Sequence, residues 1–378
     1  MGARRFLERV VVGDERGAVS WIVRAALWPL SIIYCLGLRV YLAAYETGLR
    51  RRHRLGVPVV SVGNLTFGGT GKTPAVESIC RALQAEGRRV AVVSRGHGGK
   101  ARGCVVVSDG TEIRCGSEDA GDEPVQLARS LPGVAVIVGK DRRAAGELAC
   151  SRFAPDLIVL DDGMQYWQLH RDVEIAIVDV RKPFGSGLVM PAGDLREPAR
   201  GLRRAHILLV NTPAVLDPQA YNSVVSKLMR LVPEAAVFRC GREPADVRAV
   251  GEGASPGADG IKGRRVFAFC GIRGPLGFLD TLDMLRARVV GVMTFPDHYR
   301  YDSVDIRRIR EESERVGAEL LITTEKDAAR LGDRAQEIDR LCTLVVRLEI
   351  EDIGRFTQHI SERTNRPDSP AASEEAGD

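Results

Sequence analysis

Residues 61–74 read SVGNLTFGGTGKTP and lie between a β-branched run and a segment of helical periodicity. Few short stretches constrain a chain more. Gly68, Gly69 and Gly71 lack a Cβ, so the backbone can close tightly around an anion. The helix opening after them offers unpaired N–H groups and the positive end of its dipole to that anion. Such a loop needs a strand behind it and a helix in front, the arrangement of an open parallel α/β sheet. The expected nucleotide-binding residues are Thr66, Phe67, Gly68, Gly69, Thr70, Gly71, Lys72 and Thr73, with Lys72 reaching the β- and γ-phosphates and the Thr73 hydroxyl on Mg2+. Thr66 stands where the commonest form of the motif begins with glycine. The competing reading is a glycine-rich turn without a ligand.

The pattern around the loop fits such a sheet. PVVSVG, RRVAVVS, VAVIVG, DLIVLDD, VEIAIVDV and HILLV are β-branched runs, and helical segments are expected over 73–86, 123–130 and 142–152. GCVVVSDGTEIRC, with Asp109-Gly110 between short alternating runs, predicts a hairpin insertion. A second α/β set follows in RRVFAFCG, RVVGVMTF, AELLITT and CTLVVRLEI, after a polar, glycine-rich connection over 251–263. The expectation is a P-loop nucleotide-binding domain over 55–245, a smaller α/β domain over 246–360 and a disordered tail over 361–378.

Residues 1–54 read differently. From 19 to 45 the chain is rich in Leu, Ile, Trp and Tyr but is broken by Arg24, Pro29 and Arg39, and Arg50, Arg51, Arg52 and Arg54 follow. The apolar stretch between Arg24 and Arg39 is 14 residues. A spanning helix needs about 20, so a helix lying in a membrane interface with a basic flank on anionic headgroups is expected. A helix packed on the protein's own core and a true transmembrane helix are the alternatives. Neither a signal peptide nor N-myristoylation is expected from MGARRFLERV. The net charge is only +4, which argues against a dedicated nucleic-acid binder, and the eight cysteines form no CxxC pair and read as reduced thiols.

In DLIVLDDG, apolar strand residues deliver Asp161 and Asp162 to the carboxyl end of a strand, the edge at which such sheets bind ligands. Adjacent carboxylates repel unless a cation or hydrogen bonds offset them, so both are candidate Mg2+ ligands. The alternative is a capped loop.

Taken in order, VGNLTFGGTGKTP, VVSRGHGGK, AGDEPVQLA, DDGMQ, VMPAGDLREP, FPDHYRY and TTEKDA resemble the tetraacyldisaccharide 4'-kinases, over nearly the whole chain apart from the tail. Thr66 is what that family shows. The resemblance implies transfer of the γ-phosphate of ATP, with Mg2+, to the 4'-hydroxyl of a tetraacylated glucosamine disaccharide 1-phosphate in lipid A synthesis. It implies a monotopic enzyme on the cytoplasmic face of the inner membrane, and no protein partner is expected. Asp122 falls where the family has its proposed general base and His298 where it has a supporting histidine, so Asp122, His298, Lys72 and Asp162 form the expected catalytic set. Without the resemblance, Asp122 would read as a helix cap and His298 as a loop histidine. Arg95, Glu123, Gln165, Arg196 and Glu197 are candidates for substrate or phosphate contacts, and Glu325, Lys326 and Asp327 for closure or ATP-side contacts. His97, Tyr166 and Asp194 stand where the family commonly has Tyr, His and Pro. Two other readings are a membrane-associated P-loop ATPase acting as a nucleotide switch and a soluble kinase for a small metabolite.

Overall fold

In the computed structural model the described residues are 9–15, 17–68, 71–213, 216–251, 253–272, 275–296 and 299–365. Gly69, Thr70 and His298 lie outside them, as does most of the expected tail. The first strands are short, β-branched and buried along their whole length, which suits strands covered on both faces: β1 (Val59–Gly63), β2 (Val90–Ser94), β4 (Ala135–Gly139) and β5 (Leu157–Asp161). β6 (Val173–Asp179) and β7 (Ile207–Thr212) follow the same rule. All six pair in parallel.

Helices α2 (Lys72–Ala85), α3 (Asp122–Ser130), α4 (Arg142–Phe153) and α5 (Pro218–Leu231) form the crossovers. The second set comprises β9 (Arg265–Cys270), β10 (Arg288–Thr294), β11 (Leu320–Thr324) and β12 (Leu341–Ile350), with α6 (Pro275–Met284), α7 (Ser303–Arg315), α8 (Glu325–Leu331) and α9 (Ile353–Thr364). α9 takes in residues 361–364, which were expected to be structureless.

With β3 (Cys104–Asp109) and β8 (Ala236–Ala249), the two sets share one twelve-stranded sheet, in the order β10-β9-β11-β12-β8-β7-β6-β1-β5-β2-β4-β3. The joint is β8 (Ala236–Ala249), whose first half runs parallel to β7 and whose second half runs antiparallel to β12. The boundary expected between 245 and 246 therefore falls inside a strand. Pro244 is tolerated there because the ladder shifts register between Val345 and Val346, where a missing N–H costs little. Of the expected hairpin, only β3 (Cys104–Asp109) forms a strand, antiparallel to β4; the return arm makes a single bridge between Ser108 and Ile113.

Helix α1 (Ala18–Glu46) carries Pro29 within it. Its polarity is reversed from that of a core helix: Ser20 and Ser31 are buried, while Trp21, Ile22, Trp28, Ile33, Leu36 and Val40 are more than half exposed. All eight cysteines are free thiols.

Candidate active site

β1 lies between β6 and β5, so the loops leaving its carboxyl end and that of β5 face one another across the sheet edge. The register sets Val62 beside Asp161, which puts the start of the phosphate loop next to the paired aspartates. Gly71 caps α2 at φ 93°, a left-handed conformation that glycine adopts without strain. Asn64 is fully buried and accepts a hydrogen bond from Lys72 Nζ at 3.1 Å, so the lysine lies back along its own loop.

Lys72 also approaches Asp162 at 3.8 Å. Burial holds its ammonium below the usual lysine range, against the pull of Asp162. Asp162, itself at φ 53°, receives Arg196 Nη1 on both carboxylate oxygens at 2.8 Å. Burial works to raise this carboxyl, but Lys72 and Arg196 outweigh it and keep Asp162 below the usual range. Asp161 differs. It is buried, it accepts a hydrogen bond from Ser94 Oγ at 2.9 Å, and burial, with Glu123 and Asp162 adding repulsion, pushes its carboxyl up to about 6. Of the two aspartates, Asp161 gains more from a cation.

Glu123 opens α3 beside this cluster and pairs with Lys326 of α8 at 3.0 Å. Burial disfavours its charge, but Lys326 and Lys72 prevail and its carboxyl stays below the usual range. Asp122, at the same helix end, is paired with Arg330 Nε at 3.3 Å. Arg330 is also held by Gly271 O at 2.8 Å and by the fully buried Asp327, to which Tyr301 donates at 3.0 Å. Two ion pairs therefore fasten α8 to the start of α3. Gly121, which caps α3, passes so close to the chain that a Cβ there would stand 2.4 Å from the His97 carbonyl.

Gln165 is fully engaged: its amide donates to Asn64 O at 3.0 Å and Glu197 at 2.9 Å, and its oxygen accepts from Arg196 at 3.1 Å. It orients Arg196 from within. Arg196 Nε is buried and has no partner among the described residues, leaving a donor for an anionic oxygen.

The structure thus gathers Lys72, Asp161, Asp162, Glu123, Gln165 and Arg196, with Asp122 beside Glu123 at the start of α3 and Thr73 buried next to Lys72 in the first turn of α2. Thr66 bridges Leu195, and the Arg196 guanidinium lies over the Phe67 ring, 5.1 Å from its centroid. Arg95 is exposed, acts electrostatically on Arg142, and makes no hydrogen bond or ion pair to the cluster among the described residues. Glu197, expected at the substrate, is 2% exposed and held by Arg204 at 2.5 and 2.7 Å, so it is a buttress. Asp327 is likewise buried structure, and Glu325 faces Glu77 of α2.

Ser94, Arg142 and Arg330 went unremarked in the sequence. Ser94 is one of the residues of VVSRG, and Arg142, stacked on Tyr166, donates to the Asp162 carbonyl at 3.4 Å. No short spacing marks Arg330, which stands 208 positions from Asp122.

The family model "Tetraacyldisaccharide-1-P 4'-kinase" matches residues 23–365. The chain belongs to the tetraacyldisaccharide 4'-kinase family. A tetraacyldisaccharide 4'-kinase of Geobacter metallireducens is 38% identical over 332 residues, covering 88% of this chain and 95% of the relative. One from Pelobacter propionicus is 40% identical over 320 residues, covering 84% and 86%. The crystal structure of LpxK from Aquifex aeolicus in complex with ATP, at 31% identity, superposes with a TM-score of 0.73 over 90% of this chain and 99% of that one. The chain is an ATP-dependent kinase of lipid A synthesis, and the nucleotide-switch reading is set aside.

Proposed function

We propose that the kinase works at a membrane surface on a tetraacylated glucosamine disaccharide 1-phosphate, with Asp122 as the base for its 4'-hydroxyl. The observation that carries this reading is the convergence of Lys72, Asp161, Asp162, Glu123 and Arg196 beside an α3 N-terminus that presents Asp122. Asp122 takes the hydroxyl proton as the oxygen forms its bond to the γ-phosphorus, while the bond from that phosphorus to the β–γ bridging oxygen breaks and ADP leaves. Lys72 and Arg196 bind non-bridging phosphate oxygens and hold the group in line.

The donor set fits Mg2+: a buried carboxylate with a raised pKa, a second carboxylate beside it and the Thr73 hydroxyl, all oxygen. Asp161, Thr73 and Asp162 would hold the ion, which when bound neutralises charge on the β- and γ-phosphates.

The outward face of α1 supports seating at a bilayer. Its large apolar side chains meet solvent while its serines are buried, and the arginine run follows directly. The helix also packs on the kinase body at Ser31 and Tyr34, which favours lying in the interface over crossing it. The cytoplasmic face of the inner membrane, where ATP is available, follows from the same reading.

The test is incubation of the full chain with ATP, Mg2+ and the tetraacyl disaccharide 1-phosphate in mixed micelles, followed by mass spectrometry of the lipid. A product heavier by one phosphoryl group is expected. Consumption of ATP with an unchanged lipid mass would withdraw the acceptor.

A further inference from the structure

The inward side of α1 does not simply lean on the kinase body. Tyr34 donates its hydroxyl to the main-chain carbonyl of Arg196 at 2.7 Å. One turn earlier, buried Ser31 donates to Val189 O at 2.9 Å and accepts from Ala192 N at 3.0 Å. Both residues therefore grip one segment, 189–196, through its backbone.

That segment is the brace of the active site. Arg196 N donates to Leu65 O at 2.7 Å and Phe67 N to Asp194 O at 2.8 Å, with Thr66 bridged to Leu195, so the segment runs antiparallel against the entry to the phosphate loop. Asp194 ties the segment to the preceding turn by accepting from Ser186 N at 2.7 Å and from Ser186 Oγ at 2.9 Å. The Arg196 side chain then reaches Asp162 and Gln165. A continuous set of hydrogen bonds connects α1 to the segment, to the phosphate loop and to the paired aspartates.

We infer that Tyr34, aided by Ser31, is a positioning residue for catalysis: α1 fixes the 189–196 segment, and through it the Arg196 guanidinium and the mouth of the phosphate loop. The opposite face of the same helix carries the exposed Ile33, Leu36 and Val40, so one helix presents an apolar face outward and a hydrogen-bonding face to the phosphate-binding site. The link to a bilayer rests on the membrane seating proposed above; the positioning of Arg196 does not.

Tyr34→Phe keeps the ring and removes one hydroxyl. Its kcat is expected to fall ~5–10-fold, the size of one lost hydrogen bond acting on the transition state. KM for the lipid and sedimentation with vesicles of phosphatidylethanolamine and phosphatidylglycerol should stay at wild-type values, as should the melting temperature. Binding of a fluorescent ATP analogue without lipid should weaken a few-fold. Ile33→Ser, on the outward face, should instead lower vesicle sedimentation and raise KM for the lipid.

An unchanged kcat in Tyr34→Phe overturns the inference, and so does a loss confined to KM and vesicle binding. Should Tyr34→Phe lower the melting temperature, Ser31→Ala decides by the same kcat and nucleotide readouts. Wild-type protein that does not sediment with vesicles refutes the membrane seating alone, because the kcat and nucleotide readouts are then scored in micelles.

Discussion

Glu325→Gln should stabilise this enzyme in alkaline solution and do nothing for it in acid. Glu325 opens α8 and faces Glu77 of α2, which is itself 7% exposed and paired with Arg81 at 2.9 Å. Burial first, then repulsion from Glu77, raises the Glu325 carboxyl from 4.5 to about 7, against the opposing pull of Arg248, Arg347 and Arg81. Between those two values the folded state keeps a proton that the unfolded chain has lost, so stability falls as pH rises through the window. Above it the ionised carboxylate costs the folded state roughly 3 kcal/mol, at about 1.4 kcal/mol per pH unit; partial contact with solvent trims this to about 2. Glutamine has the shape of the protonated acid and no charge to lose. At ~2.1 cal/mol/K of unfolding entropy per residue, 2 kcal/mol in a chain of this length raises the melting temperature by about 2–3 °C. Thermal unfolding followed by circular dichroism at pH 8 and pH 5 is the assay: the gain should be full at pH 8 and nearly absent at pH 5. A loss at pH 8 would mean that Glu325 is ionised and well paired, an equal gain at both that the gain does not come from its titration, and either would refute the reasoning.

Other substitutions probe the site itself. Lys72→Met should lower kcat at least ~100-fold by removing a cation from the transferring phosphate, checked in the micelle assay. Asp161→Asn should raise the Mg2+ concentration needed for half-maximal activity, read from metal titrations at saturating ATP; an unchanged requirement would assign the ion to other residues. Arg330→Met strips the cation from both Asp122 and buried Asp327, so urea denaturation should show a loss of about 3 kcal/mol. The double variant Arg330→Met, Asp327→Asn should recover part of that loss.

Much of this site could be read before any coordinates, because its chemistry is written in short segments. The phosphate loop, the paired aspartates at the end of β5 and the AGDEP turn are each contiguous, and a parallel sheet brings its strand ends to one edge regardless of sequence distance. What escaped notice depends on long-range pairing. Arg330 meets Asp122 only because α8 packs on α3, and Glu197 looked like a substrate contact until Arg204 was found covering it. β8 escaped for a local reason: FRCGREPADVRA carries glycine, proline and charge, and it changes partners halfway along, so neither face keeps a clean alternation. The boundary drawn through it followed from the same omission. α1 was legible as amphipathic, but not the fact that Ser31 and Tyr34 hydrogen-bond it to the body.

The account rests most heavily on Asp122, and the direct measurement compares wild type with Asp122→Asn in a single turnover, scoring the phosphorylated lipid by mass and nucleotide binding in parallel. The account predicts a rate at least ~100-fold lower with ATP affinity retained, as loss of a general base requires. A variant that phosphorylates the lipid at the wild-type rate would contradict it, and would reduce Asp122 to the partner that holds Arg330 in place.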